Sequence, residues 1–187
     1  IKNLEIRGFR ALSTLNVAPF GKVNLITGKN NAGKSSLLEA IRILVTGGTL
    51  RTFFEILNYR EELGAASDSE RSYLPTDLAP FCNLFTGFPD LASSKHGFVV
   101  SADGSLPTSI SRIAVSIGWF IRRFDPERQS VSYEPAAADL FGDVDGSPAL
   151  DLDIGGRQRI VPLDRLQRRF PVRPEADTGP FACVYLD

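Results

Sequence analysis

Gly28-Lys29-Asn30-Asn31-Ala32-Gly33-Lys34-Ser35 fills every fixed position of the pattern G-x-x-x-x-G-K-[ST]. A chance match in a chain of this composition is on the order of one in a hundred or rarer. The spacing has a physical reason. Gly28 and Gly33 let the backbone turn tightly and come close to an anion. Between them, successive N–H groups from Asn30 to Ser35 can point inward and form an anion nest. A helix opening at Ser35 adds its unsatisfied N–H groups and the positive end of its dipole. Lys34 supplies a mobile charge for terminal phosphates, and Ser35 a hydroxyl ligand for Mg²⁺. The competing explanation is a glycine-rich turn carrying a solvated lysine.

The flanks of the loop suit the first explanation. Residues 22–27 (Lys-Val-Asn-Leu-Ile-Thr) read as a buried strand through Val23, Leu25 and Ile26. Residues 35–45 predict a helix whose apolar face carries Leu37, Leu38, Ile41, Leu44 and Val45, stopped by Gly47-Gly48. Upstream, residues 1–7 predict a strand ended by Gly8, and residues 12–17 a second strand closed by Pro19. Downstream, residues 50–58 predict a helix with Phe53, Phe54, Ile56 and Leu57 apolar; 61–75 is polar and loop-like, and 76–85 is a short helix. From Gly97 the hydrophobic period changes to two. Strands are expected over 97–102, 109–124, 129–133, 150–154 and 157–161, with turn signals at 102–104 and 145–148, and a last strand over 181–186. The expected organisation is one lobe over 1–187: a strand–loop–helix core to residue 60, a helical or loop insertion over 61–96, and a β-rich part over 97–187.

Composition narrows the class. The 187 residues are 43% hydrophobic and 23% charged, which excludes disorder, collagen and coiled coil for the bulk of the chain. No run approaches the ~18 apolar residues of a membrane span. No basic stretch leads into an apolar one, which predicts no signal peptide. Cys82 and Cys183 both sit among apolar residues and suit a reducing, cytoplasmic compartment. With His96 alone, no His/Cys metal cluster can be assembled. Charge is uneven: residues 1–60 carry nine Lys/Arg against three Glu, whereas 61–156 are acidic. A basic N-terminal segment suits a polyanionic ligand, although local fluctuation on an ordinary surface gives the same pattern.

Two further stretches carry a family resemblance. The N-terminal run Ile1-Lys2-Asn3-Leu4-Glu5-Ile6-Arg7-Gly8-Phe9-Arg10-Ala11-Leu12 is the first, and the loop continued by Ser36-Leu37-Leu38-Glu39-Ala40-Ile41 is the second. Together they resemble the N-terminus of ABC-type ATPases of the SMC/RecF/OLD group, which includes prokaryotic AAA-family ATP-binding proteins. Residues 1–45, about a quarter of the chain, carry this match. The resemblance implies an α/β fold: the P-loop NTPase (ABC ATPase-like) lobe of a two-lobed head, with a β-rich antiparallel subdomain. It implies ATP and Mg²⁺ as cofactors, bound by Gly28, Asn30, Asn31, Ala32, Gly33, Lys34, Ser35 and Ser36, with Ser35 on the metal. Arg10 falls where the group's early arginine turn lies near the nucleotide; a surface arginine on a turn is the alternative. The implied partner is a second head, with two ATP molecules sandwiched in a homodimer. Roles in DNA repair or phage defence, and nucleic acid as a further partner, follow from the same likeness.

The group's remaining motifs are not evident, and a C-terminal lobe is expected to be missing. Residues 152–158 (Leu-Asp-Ile-Gly-Gly-Arg-Gln) approach a signature motif, and 182–187 (Ala-Cys-Val-Tyr-Leu-Asp) approach a Walker B strand cut at Asp187. Pro162 and the alternation over 157–163 oppose a signature helix. A hairpin turn at 153–157 and a lobe-one strand at 181–186 are therefore expected instead. Asp139-Leu140-Phe141-Gly142 fits the D-x-x-G of GTPases, yet no guanine motif accompanies it. Arg165, Arg168, Arg169 and Arg173 could meet nucleic-acid phosphates or form a solvated face. Trp119 and Phe120 are expected in the core, and His96 in a loop. No catalytic base is visible. Two readings besides an ATPase stay open: a nucleotide-dependent clamp without turnover, and a P-loop kinase.

Overall fold

The computed structural model describes residues 1–21, 23–63, 79–88, 97–104, 106, 108–136 and 146–162. In chain order the elements are β1 (Asn3–Phe9), β2 (Leu12–Val17), α1 (Lys34–Val45), α2 (Leu50–Tyr59), α3 (Ala79–Cys82), β3 (Gly97–Asp103), β4 (Arg112–Asp125), β5 (Ser130–Pro135), β6 (Ser147–Ile154) and β7 (Arg157–Pro162). The strands form one sheet in the order β2-β1-β3-β4-β6-β7, and β5 pairs with the distal part of β4. Every pairing is antiparallel. β4 is long enough to serve three neighbours: its first half pairs β3, its second half pairs β5, and β6 runs along residues 113–120.

Alternation sets which face is covered. Leu4 and Ile6 on β1, Phe98, Val100 and Ala102 on β3, Ile113, Val115 and Ile117 on β4, and Leu150 and Leu152 on β6 are buried together. Their opposed positions, such as Glu5, Ser101, Ser116 and Asp151, lie on the other face. The helices pack on the apolar face through Leu37, Ala40, Ile43 and Leu44 of α1 and Phe53, Ile56 and Leu57 of α2. Phe98 is the hub, with the rings of Phe9, Phe85 and Phe53 at centroid distances of 4.9, 5.5 and 6.3 Å. Each fully buried ring contributes about 1.5–3 kcal/mol of burial free energy, so this cluster ties the N-terminal strand to the β-rich half.

Most expected elements are present within a few residues of their predicted ends, and three expectations need correction. Residues 23–27 are not a strand: Val23 and Leu25 are 91% and 89% exposed. No described strand lies beside them to complete a ladder, so alternation there has no hydrogen bonds to act through. Helix α1 is buried over a wider arc than predicted. Ile43, Ser36 and Glu39 are buried, while Leu38, Ile41 and Val45 are only half-buried, because α1 is packed by both the sheet and α2. The helix expected over 76–85 is reduced to the four residues of α3. The hairpin turn expected at 153–157 is present. Residues 152–158 join β6 to β7 through Gly155 and Gly156, both left-handed (φ 58° and 84°), in a two-residue hairpin with Ile154 paired to Arg157. Phe120 is buried as expected. His96, Asp139–Gly142, the arginines at 165–173, the strand at 181–186, Cys183 and Asp187 lie outside the described residues.

Candidate phosphate-binding site

The loop at 28–33 joins an exposed segment to the 12-residue helix α1. Gly28, Asn31 and Gly33 all have positive φ (158°, 62° and 87°). These angles make the backbone turn tightly, and Ala32 N–H closes one turn on the Lys29 carbonyl at 3.2 Å. Gly33 is the N-cap of α1, and no side chain caps the helix. The first helical bond is Leu37 N–H to the Gly33 carbonyl, 2.9 Å. The N–H groups at the start of α1 are therefore left for an external acceptor. Gly28 to Ala32 and Ser35 are exposed, so the loop is open to solvent.

Lys34 folds back onto the loop. Its Nζ donates to the carbonyl oxygens of Gly28 and Lys29, both at 2.8 Å. An ammonium has three donors and no acceptor, so the loop carbonyls hold the charge above the helix N-terminus. Ser35 presents an exposed residue at the mouth, whereas Ser36 is only 5% exposed and sits on the buried side of α1. The donor set suits a polyphosphate: backbone N–H groups, one ammonium and one hydroxyl. Among the described residues there is no group of three His, Cys, Asp or Glu that could hold a metal. A hard cation here would thus depend on ligand phosphates and the Ser35 hydroxyl.

Behind the loop stands the turn between β1 and β2. A Cβ on Gly33 would lie 2.8 Å from Leu12 Cδ2 and 3.7 Å from Ala11 Cβ. The loop therefore rests directly on this turn, where the expected role of Arg10 placed it. The Arg10 side chain is occupied elsewhere. It is 8% exposed, and its Nη1 and Nη2 donate to Glu62 Oε1 and Oε2 at 2.8 and 2.9 Å. Arg10 Nε lies 2.7 Å from Glu39 Oε2, an ion pair whose angle falls short of a hydrogen bond. Glu39 in turn accepts from Arg60 Nε at 2.7 Å. Glu39 is 2% exposed. Burial pushes its carboxyl above the ordinary range, against the opposing pull of Arg10 and Arg60. Sequence reasoning did not find this cluster. Glu39 falls opposite the apolar face expected from Leu37, Leu38, Ile41, Leu44 and Val45, so its burial was not legible from the helical pattern.

Residues 1–82 match the family described as AAA ATPase domain. The N-terminal part of this chain is similar to the ATPase domains of the SMC/RecF-like group. It is 48% identical over 52 residues to the DNA replication and repair protein RecF of Thioalkalivibrio sulfidiphilus, covering 28% of this chain and 14% of that protein. It is 47% identical over 45 residues to an ATP/GTP phosphatase of Helicobacter pylori, covering 24% and 12%. An uncharacterized protein of Methanocaldococcus jannaschii is 41% identical over 46 residues, covering 25% and 21%. The matches thus span about an eighth to a fifth of the relatives' own lengths. The match is to a P-loop NTPase family, and the described residues form a mostly antiparallel, β-rich lobe. No described helix is long and apolar enough to cross a membrane.

Proposed function

We propose that this chain is the nucleotide-binding lobe of an ABC/SMC-like ATPase head that binds ATP with Mg²⁺. The observation that carries the reading is the uncapped N-terminus of α1 with the Lys34 ammonium held over it. Backbone N–H groups of residues 30–35 cradle the phosphates, Ala32 giving up its bond to the Lys29 carbonyl, and Gly28 and Gly33 shape the loop. Lys34 exchanges its two carbonyl partners for phosphate oxygens. Ser35 would hold the metal through its hydroxyl, and the metal would offset phosphate charge there. Ser36, from its buried position, supports the start of α1.

Hydrolysis requires a positioned water and added charge stabilisation at the terminal phosphate. In this reading those parts come from a C-terminal lobe and from a second head, joined in a homodimer across two ATP molecules. The relatives named for DNA replication and repair support a role in DNA repair, with phage defence the other process considered and nucleic acid a partner. A cytoplasmic location belongs to the same proposal.

Calorimetry with ATP·Mg²⁺ tests the reading. Losing one charge-assisted contact costs about 1.5–3 kcal/mol, so Lys34→Ala should weaken binding roughly ten- to hundred-fold while the far-UV circular dichroism stays unchanged. Equal affinity in the two proteins would remove Lys34 from the site.

A further inference from the structure

We infer that Glu39, Arg10, Glu62 and Arg60 form a buried positioning device for the phosphate loop, with Arg10 acting through the turn behind the loop. The inference rests on the reading of the loop given above and concerns what holds it in shape.

Four chain segments meet at one guanidinium. Arg10 belongs to the β1–β2 turn; Glu39 lies on α1, five residues after Lys34; Glu62 follows α2; and the Asn83 carbonyl accepts from Arg10 Nη1 at 3.3 Å. Arg60, the C-cap of α2, closes the network on the free side of Glu39. Glu62 engages Arg10 in a fork, which fixes orientation as well as distance. Two backbone bonds reinforce the arrangement: Arg10 N–H to the Leu84 carbonyl at 3.1 Å and Thr86 N–H to the Gly8 carbonyl at 2.9 Å. The backbone of Arg10 is itself left-handed (φ 49°), a conformation that a non-glycine residue keeps only when its surroundings over-determine it.

The consequence for the loop is mechanical. Ala11 and Leu12 follow Arg10 directly and form the surface against which Gly33 rests. Glu39 ties α1 to the same arginine. The network therefore clamps both the helix whose N-terminus faces the anion and the turn that backs its N-cap. Burying the Glu39 carboxylate and the Arg10 guanidinium, with Glu62 and Arg60 only half-buried beside them, is expensive in stability terms, and a well-packed apolar cluster would hold a fold as well. What the ionic cluster adds is one definite orientation of α1 relative to the turn. It also engages both edges of the Arg10 guanidinium with carboxylates, so that this arginine shapes the site while its charge is spent on Glu39 and Glu62.

The test is ATP·Mg²⁺ affinity of the whole chain, measured far below the melting temperature, for Glu39→Gln, Glu62→Gln and Arg60→Gln. Glu62 and Arg60 are partly exposed, so their variants fold even where Glu39→Gln does not. Val161→Ala on β7, remote from the loop, is the control for lost stability alone. Positioning predicts a loss of about ten-fold in affinity for the cluster variants, within the range for displaced binding groups, and no loss for Val161→Ala. Lowered melting temperature with wild-type affinity would overturn the inference and leave the cluster a structural one. Raised affinity would also overturn it, because Arg10, once released, would then be a direct phosphate contact. Lys34→Ala separates the two levels: if wild-type binding is absent or independent of Lys34, the reading of the loop itself fails.

Discussion

Gly33→Ala is the substitution whose cost the structure specifies most fully. Gly33 holds φ 87° and ψ 13°, a left-handed conformation that costs an L-residue about 1–2 kcal/mol. The added Cβ would stand 2.8 Å from Leu12 Cδ2, closer than non-bonded carbons tolerate. The obstructing atom is the end of a half-buried side chain, so it moves at the cost of an off-rotamer angle, about 0.5–1.5 kcal/mol. Together the two terms predict a loss of about 1.5–3.5 kcal/mol, or on the order of 3–14 °C in melting temperature for a chain of this size. Urea unfolding of the wild type, Gly33→Ala, Leu12→Ala and the double variant separates them. Leu12→Ala removes only the steric part, so the double variant should be about 0.5–1.5 kcal/mol less destabilised than the sum of the singles. Nucleotide affinity should fall in Gly33→Ala and remain low in the double variant, since the backbone strain persists. A fully stable Gly33→Ala, or strict additivity across the cycle, would refute the claim that the β1–β2 turn backs the phosphate loop.

Three other outcomes follow from the same geometry. Ser35→Ala should weaken binding of ATP with Mg²⁺ more than binding measured in EDTA, because the hydroxyl is assigned to the metal; equal losses would place it on the phosphates or the helix N-terminus. The chain alone should show an ATP-dependent thermal shift yet release phosphate at close to background; robust, Lys34-dependent turnover would overturn the division of labour between lobes. Burial raises the Glu39 carboxyl above its ordinary value of 4.5, so the folded state holds that proton more tightly than the unfolded chain. Its contribution is fully present below 4.5 and is lost as pH rises through the raised folded value. The stability of wild type minus Glu39→Gln should therefore fall with rising pH across that window; a flat difference would count against it.

The phosphate loop was legible because its chemistry is local. Two glycines, a lysine and a serine at fixed spacing specify the backbone turn and the donors regardless of what surrounds them. The same holds for β2, for the helix that follows the loop, and for the Gly155-Gly156 hairpin, whose two left-handed positions are written into adjacent residues. Periodicity likewise announced the β-rich half, since one covered face imposes alternation on each strand by itself. Other features depended on neighbours remote in sequence. The alternation at Val23 and Leu25 looks like a strand, but a strand exists only where another backbone accepts its hydrogen bonds, and none of the described strands does. Which face of α1 is buried was decided by α2 and the sheet together, which is why Ile43 and Glu39 lie inside while Leu38 lies at the margin. Arg10 reads as a surface arginine or a nucleotide contact until Glu39 and Glu62, 29 and 52 residues away, converge on it. Local geometry can be encoded in a few consecutive residues; a hydrogen-bond partner or a counter-charge for a buried group comes only from the packed chain.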